Sequence, residues 1–445
     1  YFGRVNLSWS GKYLFEFNYR QDGSSRFDKN NRWGGFPSIS AGWNISEEPF
    51  MASMKQTWLD NLKLRASWGS LGNNSVGNYA TIPTMSQALY VLNGNPVNGF
   101  VSSLVNGNLK WESTYVTNIG LDFIIKNRLN GSIDFYNKLT KNILSQLPIP
   151  LENGLVDAPY QNSAKVRNRG LEVNLGWQDK ICMVNYFVKG NFTYNENKVI
   201  KFKGSERSIN GTTMIQEGYG INTQYVRKVN RIIQTDADVA LVQDIINKAP
   251  EGKNPFPNGV PVKGDLLYKD MNKDGLINDD DRVPVGHGAN PRFMYGLSFG
   301  VNWKGLDFSC QMDGIAGIKA YYNNNFYTVS LGEPQIINKK IADGRWYEGR
   351  TDAKFPRLTN KSITKNVLNS DFWIKNNSFI KVRNIQLGYT IPSFITQKVN
   401  ISRLRLYTSL ENFFTITNYP GLDPEVAGMN YPQMKQAVLG INLSF

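Results

Sequence analysis

A chain of 445 residues with 13% aromatics and 40 glycines but only 19% charged residues does not have the charged surface of an ordinary soluble enzyme. A mean hydropathy of −0.39 and the lack of any run of about 18 apolar residues exclude a bundle of membrane helices. The net charge of +14 comes from scattered Lys and Arg without a basic block, which speaks against nucleic acid and for a lined lumen or for turns near anionic head groups.

Period-2 alternation begins at the first residue and dominates the chain. Val5, Leu7 and Trp9 alternate with Arg4, Asn6 and Ser8, then Tyr13, Phe15, Phe17 and Tyr19 with Glu16, Asn18 and Arg20. Ile39, Ala41 and Trp43, then Leu62, Leu64, Ala66 and Trp68, continue the pattern. Leu171, Val173, Leu175 and Trp177 follow, and the row Phe293 to Trp303 is the longest. Strands are predicted at 1–9, 12–20, 36–45, 61–70, 112–125, 128–139, 165–177, 182–195, 292–303, 305–313, 376–391, 401–414 and 434–445.

The apolar face is either a sandwich core or a lipid-facing surface. Two features favour lipid. The rows end in Trp and Tyr (Trp9, Tyr13, Tyr19, Trp43, Trp68, Trp177, Tyr194, Trp303), as an interfacial girdle does. The opposite face carries charge well inside the strands, which suits a wet or plugged lumen. Connections also alternate. Short links are predicted at Ser10-Gly11, 126–128, 178–181, Lys304-Gly305 and 392–401, with 46–60 on the same side. Long ones are predicted at 21–35, 71–110, 140–164, 196–291, 314–374 and 415–433.

The fold class is therefore all-β: an antiparallel transmembrane β-barrel, with residues 1–445 as the C-terminal portion of one barrel domain and long outer loops near 71–110, 196–291 and 314–374. Single-chain bacterial barrels usually have an even number of strands. Thirteen strands, and a first segment with no signal-peptide character, imply a start inside a longer protein. A plugged barrel of about 22 strands would place about nine before Tyr1. The last strand alternates through Ala437, Leu439, Ile441 and Leu443 to a terminal Phe445, a hallmark of outer-membrane barrels.

Three groups of residues are candidates for chemistry. Asp270, Asn272, Asp274, Leu276, Asn278 and Asp281 fit a calcium-loop register, with Gly275 at the sixth position and Asp in place of the usual Glu at the twelfth. The alternatives are bound calcium that stiffens the loop, or a metal-free hydrogen-bonded acidic turn. The loop 314–374 is aromatic: Tyr321, Tyr322, Phe326, Tyr327, Trp346, Tyr347 and Trp373, with Asp343, Arg345 and Arg350 as hydrogen-bonding groups, and Tyr419 stands near a later loop. Such faces stack on sugar rings or pack on peptide side chains, or else they pack loop against loop. Finally, Arg4, Glu16, Arg20, Lys63, Arg65, Asp122, Asp134, Glu172, Arg292, Asp307, Arg403, Arg405 and Glu411 fall on the lumen parity and are expected to meet a plug.

Cys182 and Cys310 fall on apolar parity and read as small lipid-facing residues, without the spacing of a zinc site. The single histidine, His287, lies between Gly286 and Gly288 without a base–nucleophile pair, so the chain is not read as an enzyme.

Several stretches, in order, resemble the SusC/RagA-type TonB-dependent importers. They include Asn18–Phe27 (NYRQDGSSRF), Gly34–Met51 (GGFPSISAGWNISEEPFM), Leu62–Asn73 (LKLRASWGSLGN) and Arg167–Trp177 (RNRGLEVNLGW). Gly264–Gly286 (GDLLYKDMNKDGLINDDDRVPVG), Lys381–Pro392 (KVRNIQLGYTIP) and Ser409–Val426 (SLENFFTITNYPGLDPEV) follow. The resemblance implies energy-coupled import of oligosaccharides or oligopeptides across the outer membrane of a Gram-negative bacterium. It also implies a plug and a TonB box before Tyr1, a TonB–ExbB–ExbD complex as energy source, and a SusD-like surface lipoprotein as lid. A barrel kept as a structural partner without transport, or a passive porin, are the rival readings.

Overall fold

Residues that alternate in polarity with a period of two can satisfy their backbone only by pairing with neighbours, and here they pair with chain neighbours. The computed structural model describes residues 1–445 apart from 148, 150–157, 204–206, 323–338, 359–363 and 427–430. Among the described residues, thirteen strands form one antiparallel sheet in chain order. They are β1 (Phe2–Trp9), β2 (Tyr13–Gly23), β3 (Trp33–Asn44), β4 (Leu59–Asn73), β5 (Glu112–Ile125), β6 (Leu129–Gln146) and β7 (Tyr160–Ile181). β8 (Val184–Phe202), β9 (Phe293–Trp303), β10 (Leu306–Ala316), β11 (Phe379–Ile391), β12 (Arg403–Thr417) and β13 (Gln436–Ser444) complete it.

Each of the thirteen predicted segments is present. β6, β7 and β8 run further than predicted on the long-loop side, where both faces are polar and alternation disappears. The turn between β7 and β8 is also displaced. It is Cys182-Met183 and not 178–181, because Asp179 and Lys180 still pair with Tyr186 and Asn185. Cys182 therefore takes a positive φ at a rim turn and is not a lipid-facing strand residue, whereas Cys310 sits in the apolar row between Phe299 and Ile385.

The tight turns carry left-handed residues, Ser10-Gly11, Lys126-Asn127 and Lys304-Gly305, which match the twist of the flanking strands. At Gly305 any side chain would also strike the Thr390 carbonyl at 2.6 Å.

The apolar face is not a core. Leu7 is 60% and Trp303 49% exposed, although both lie in unbroken apolar rows. A sandwich would bury them; a barrel wall gives them to lipid. Girdle contacts occur at the short-turn end, with Trp9 and Tyr13 5.8 Å apart and the Trp177 indole N–H donating to the Tyr186 hydroxyl at 3.1 Å.

True cores lie in the long connections. Between β8 and β9, a helix (Asp236–Lys248) starts at Thr235, whose hydroxyl accepts from the Asp238 amide while Asp238 reaches back to the Thr235 amide. Ile232, Ile233, Val242, Phe256, Leu266, Leu267, Tyr268 and Ile277 form a buried cluster under it, joined by Leu368 and Phe372 from the connection between β10 and β11. Two loops far apart in sequence thus share one hydrophobic core on the outer rim.

Candidate functional site at the outer mouth and inner wall

The inner wall is built by the polar parity of the strands, and its charges are largely paired within the wall itself. Arg4 meets Glu16 at 2.6 Å, and Arg65 bridges Asp122 at 2.8 Å and Asp134 at 2.7 Å. Arg405 meets Asp307 at 2.9 Å across two strand spacings. These lumen residues were expected to meet a plug; in this chain their first partners are cross-strand neighbours. Between the charged pairs runs a groove of about 580 Å³ lined among others by Asn130, Ser132, Asn174, Asn191, Ser298 and Gln311, with Asp122, Asp313 and Lys189 as its charged members. Such a surface offers many hydrogen bonds.

The last outer connection is tied down by ions. Arg383 is the extra residue of a bulge in β11, which aims its guanidinium at Asp313 (2.8 Å) and Glu425 (2.7 Å). Lys381, buried beside it, reaches Glu425 at 2.6 Å and Asp423 at 3.3 Å. Asp423 also accepts the amides of Glu425 and Gln433, and these partners hold both carboxyls below the ordinary range against the effect of burial. The stretch Gly421–Glu425, read from sequence as shaping this loop, thus does so through two carboxylates.

The aromatic candidates separate into two groups. Tyr322 packs edge-on against Tyr419 at 5.4 Å, and its amide donates to the Trp373 carbonyl. Trp373 is buried, donates to the Asn366 carbonyl at 3.2 Å and packs edge-on against Phe372. Tyr321 donates to Asn369 at 3.0 Å. These four residues are brought together, and they face protein. Trp346 is also buried, over Gly264, where an added Cβ would stand 2.4 Å from the indole. Arg345 bonds the Ala342 carbonyl. Tyr347 is different: it is 55% exposed, with the Arg350 guanidinium 5.6 Å from its ring centre. Of the aromatic candidates named above, Tyr347 keeps an open face for a ligand, while Phe326 and Tyr327 lie outside the described residues.

Sequence reading missed the residue that joins the loops. Asp265 is fully buried and meets Arg357 at 2.8 Å, Lys365 at 2.9 Å and the Asn366 amide at 3.0 Å. Burial alone would raise its pKa; these partners and the Val262 amide reverse that and lower it. The only local signal was its place after Gly264; its partners lie about a hundred residues away.

In the acidic loop, the oxygens are turned inward. Asp270 accepts the amides of Lys273 and Gly275, Asn272 that of Asp274, and Asp274 that of Leu276. Asn278 accepts the Asp280 amide, and fully buried Asp281 accepts those of Met271 and Asn278. Burial raises the Asp281 pKa in spite of these bonds. Among the described residues, no three His, Cys, Asp or Glu side chains are grouped to hold a metal. An ion here would rely on the Asn272 and Asn278 side chains and the Leu276 carbonyl as well. His287 contacts Arg292 at 3.3 Å.

Comparison with known proteins places this geometry. Residues 1–413 match the family model described as TonB dependent receptor-like, beta-barrel. The chain is 30% identical over 465 aligned residues to the TonB-dependent receptor SusC of Bacteroides thetaiotaomicron, covering 100% of the chain and 43% of that protein. It is 31% identical to a TonB-dependent receptor of Formosa agariphila, covering 100% of the chain and 46% of the relative. The solved RagAB peptide transporter superposes with a TM-score of 0.81 at 27% identity, over 100% of the chain and 47% of that chain. The chain thus spans about half the length of the relatives it matches.

Proposed function

The chain belongs to the TonB dependent receptor-like β-barrel family, of SusC/RagA type and at home in an outer membrane, and from that premise we propose that the protein it belongs to imports an oligomeric nutrient, oligosaccharide or oligopeptide. The family is one of receptors and transporters rather than of enzymes. One observation carries the proposal: a single wall of strands with an apolar outer face and a self-paired, polar inner face. Paired charges and amides let a polar oligomer pass without a deep electrostatic trap.

Energy from a TonB–ExbB–ExbD complex and a SusD-like lipoprotein lid belong to the same proposal. The two ion-tied outer connections support it, since a lid needs a fixed rim to close against. The test is an intact-mass and co-purification experiment on native outer-membrane extract. A species of roughly twice the 50.4 kDa of this chain with a stoichiometric lipoprotein is expected, together with uptake of labelled oligomer that stops when the proton gradient is collapsed. Uptake that persists without the gradient would make the barrel a porin, and no uptake of sugar or peptide would leave it a structural partner.

For the 270–281 loop we propose calcium as a stiffening ion, supported by the alternating oxygens and the prebuilt turn. Millimolar calcium is expected to slow proteolysis within 203–292, and a chelator to restore it. Equal cleavage rates in both would remove the ion from the account.

A further inference from the structure

Charges that face each other across two strands are stabilising when opposite and destabilising when alike. High on the outer face of β7 and β8 they are alike. Arg167 stands directly opposite Lys198, and Lys165 directly opposite Lys201 on the side away from the membrane. Arg167 and Lys165 keep the parity of the lipid-facing Leu171 along β7, and their partners share that face with Tyr194. The inner face at this level is closed, with Val166 buried and Val199 fully buried, so the cations stand on the open side. On β6, Lys141 keeps the parity of Phe135 and joins them. Glu196 is the one carboxylate that β5–β8 present on this face above Tyr194 among the described residues, and Arg169 holds it at 2.7 Å. Glu217, from the neighbouring loop, accepts the Phe202 amide at 2.8 Å. Lys141, Lys165, Arg167, Lys198 and Lys201 have no carboxylate at ion-pair distance among the described residues.

This ladder lies at head-group depth. Arg169 and Tyr194 stand eight residues along their strands from Trp177 and Tyr186, the pair that marks the periplasmic interface. At a rise of about 3.3 Å per residue and a tilt of about 45°, that is roughly 20 Å of height, near the top of an apolar band about 25 Å tall. Below the ladder the same face is apolar, with Phe135 and Leu175 exposed. Aromatic rings border it, as at a membrane interface. Tyr115 stacks on Trp68 with ring centres 6.2 Å apart, and the Lys141 ammonium stands 4.6 Å from the centre of the Tyr115 ring. Arg292 donates to the Tyr194 hydroxyl at 2.9 Å. Acyl chains meet the apolar rows, and the head group above them meets the cations, whose guanidinium forks and ammonium groups suit phosphate oxygens. We propose that this ladder binds the phosphate groups of a phosphorylated glycolipid in the outer leaflet, which relieves the two like-charge rungs. The inference rests on the outer-membrane placement of the barrel and is independent of what it imports.

The test uses the full-length receptor in phosphatidylcholine nanodiscs containing bisphosphorylated lipid A or its dephosphorylated form, with retained lipid counted by native mass spectrometry. The wild type is expected to retain the phosphorylated form in preference. Each cation lost should weaken that retention roughly fivefold, so Arg167→Gln with Lys198→Gln should lose well over tenfold. Arg167→Lys with Lys198→Arg should retain it. If the double glutamine variant does not assemble, Lys165→Gln with Lys201→Gln, further from the membrane, carries the same test. Equal retention of the two lipid forms by the wild type, or of the phosphorylated form by wild type and glutamine variants, would overturn the proposal. Displacement of the lipid by millimolar inorganic phosphate would also overturn it, in favour of a free-phosphate site, whereas retention in that phosphate supports the lipid. The substitutions lie on the outer face, so nutrient uptake is expected to survive them, and failure here and failure of the import reading are separately visible.

Discussion

Leu297→Arg is expected to destabilise the barrel in a bilayer by about 2–4 kcal/mol, whereas Gln311→Arg, on the next strand, should cost much less. Leu297 lies mid-strand in β9, 41% exposed on the apolar face. Gln311 projects to the inner wall, paired with Ser298 and Asn384. An arginine on the lipid face must keep its charge in hydrocarbon or thin the bilayer around it. On the inner wall it joins water and amides. Urea unfolding in lipid vesicles, followed by the heat-modifiable gel shift of folded barrels, measures both. The opposite ranking would mean that the apolar face is packed against protein.

The second large effect is local. Asp265→Ala is expected to cost the outer-rim domain about 3–5 kcal/mol, because it leaves Arg357 and Lys365 facing each other without an anion. Hydrogen exchange should rise across Ile232–Ile277 and 364–373 while the wall strands stay protected. Asp265→Asn should fall between, since it can still meet Asn366. The sign with pH follows from the lowered pKa of Asp265. Its stabilisation is complete above the ordinary carboxylate range and is lost as pH falls through that range and below. A variant whose exchange rises equally in the wall would show that Asp265 supports the barrel and not the rim.

The wall was legible because each of its strands writes the same two-letter pattern, and lipid and lumen enforce it residue by residue. Legibility ended where that pressure ends. In β6–β8 beyond the membrane, stretches such as Lys138–Asn142 and Lys198–Lys201 are polar or mixed on both faces, so strand and loop look alike. At the rim, Asp179-Lys180 resembled a turn, although the turn is made by Cys182-Met183. The helix at Asp236 had a local signal in Thr235 and Asp238, set in a region otherwise without periodicity. The candidate site was harder still. Trp346, Trp373, Tyr322 and Tyr419 are aromatic in sequence for either of two reasons, and only contacts between distant loops show that they face Gly264, Asn366 and one another. The same holds for Arg383, whose bulge cannot be seen in a run of alternating residues.

The shared outer core has a consequence for the order of assembly. Its two halves, Val229–Ile277 and Leu368–Phe372, are separated in the chain by the hairpin β9–β10. The buried residues of the cluster all lie in the first half and the second covers them with Leu368 and Phe372, while the Asp265–Lys365 bridge spans a hundred positions. Contacts of such separation form late, because the intervening loop must be closed before they repay its entropy. The hairpin does that closing when it enters the sheet. The rim domain is therefore a reporter of completed insertion: a nascent barrel stalled before β10 pairs with β11 would present an unfolded, protease-sensitive rim, and would have no firm seat for a partner until its wall is in place.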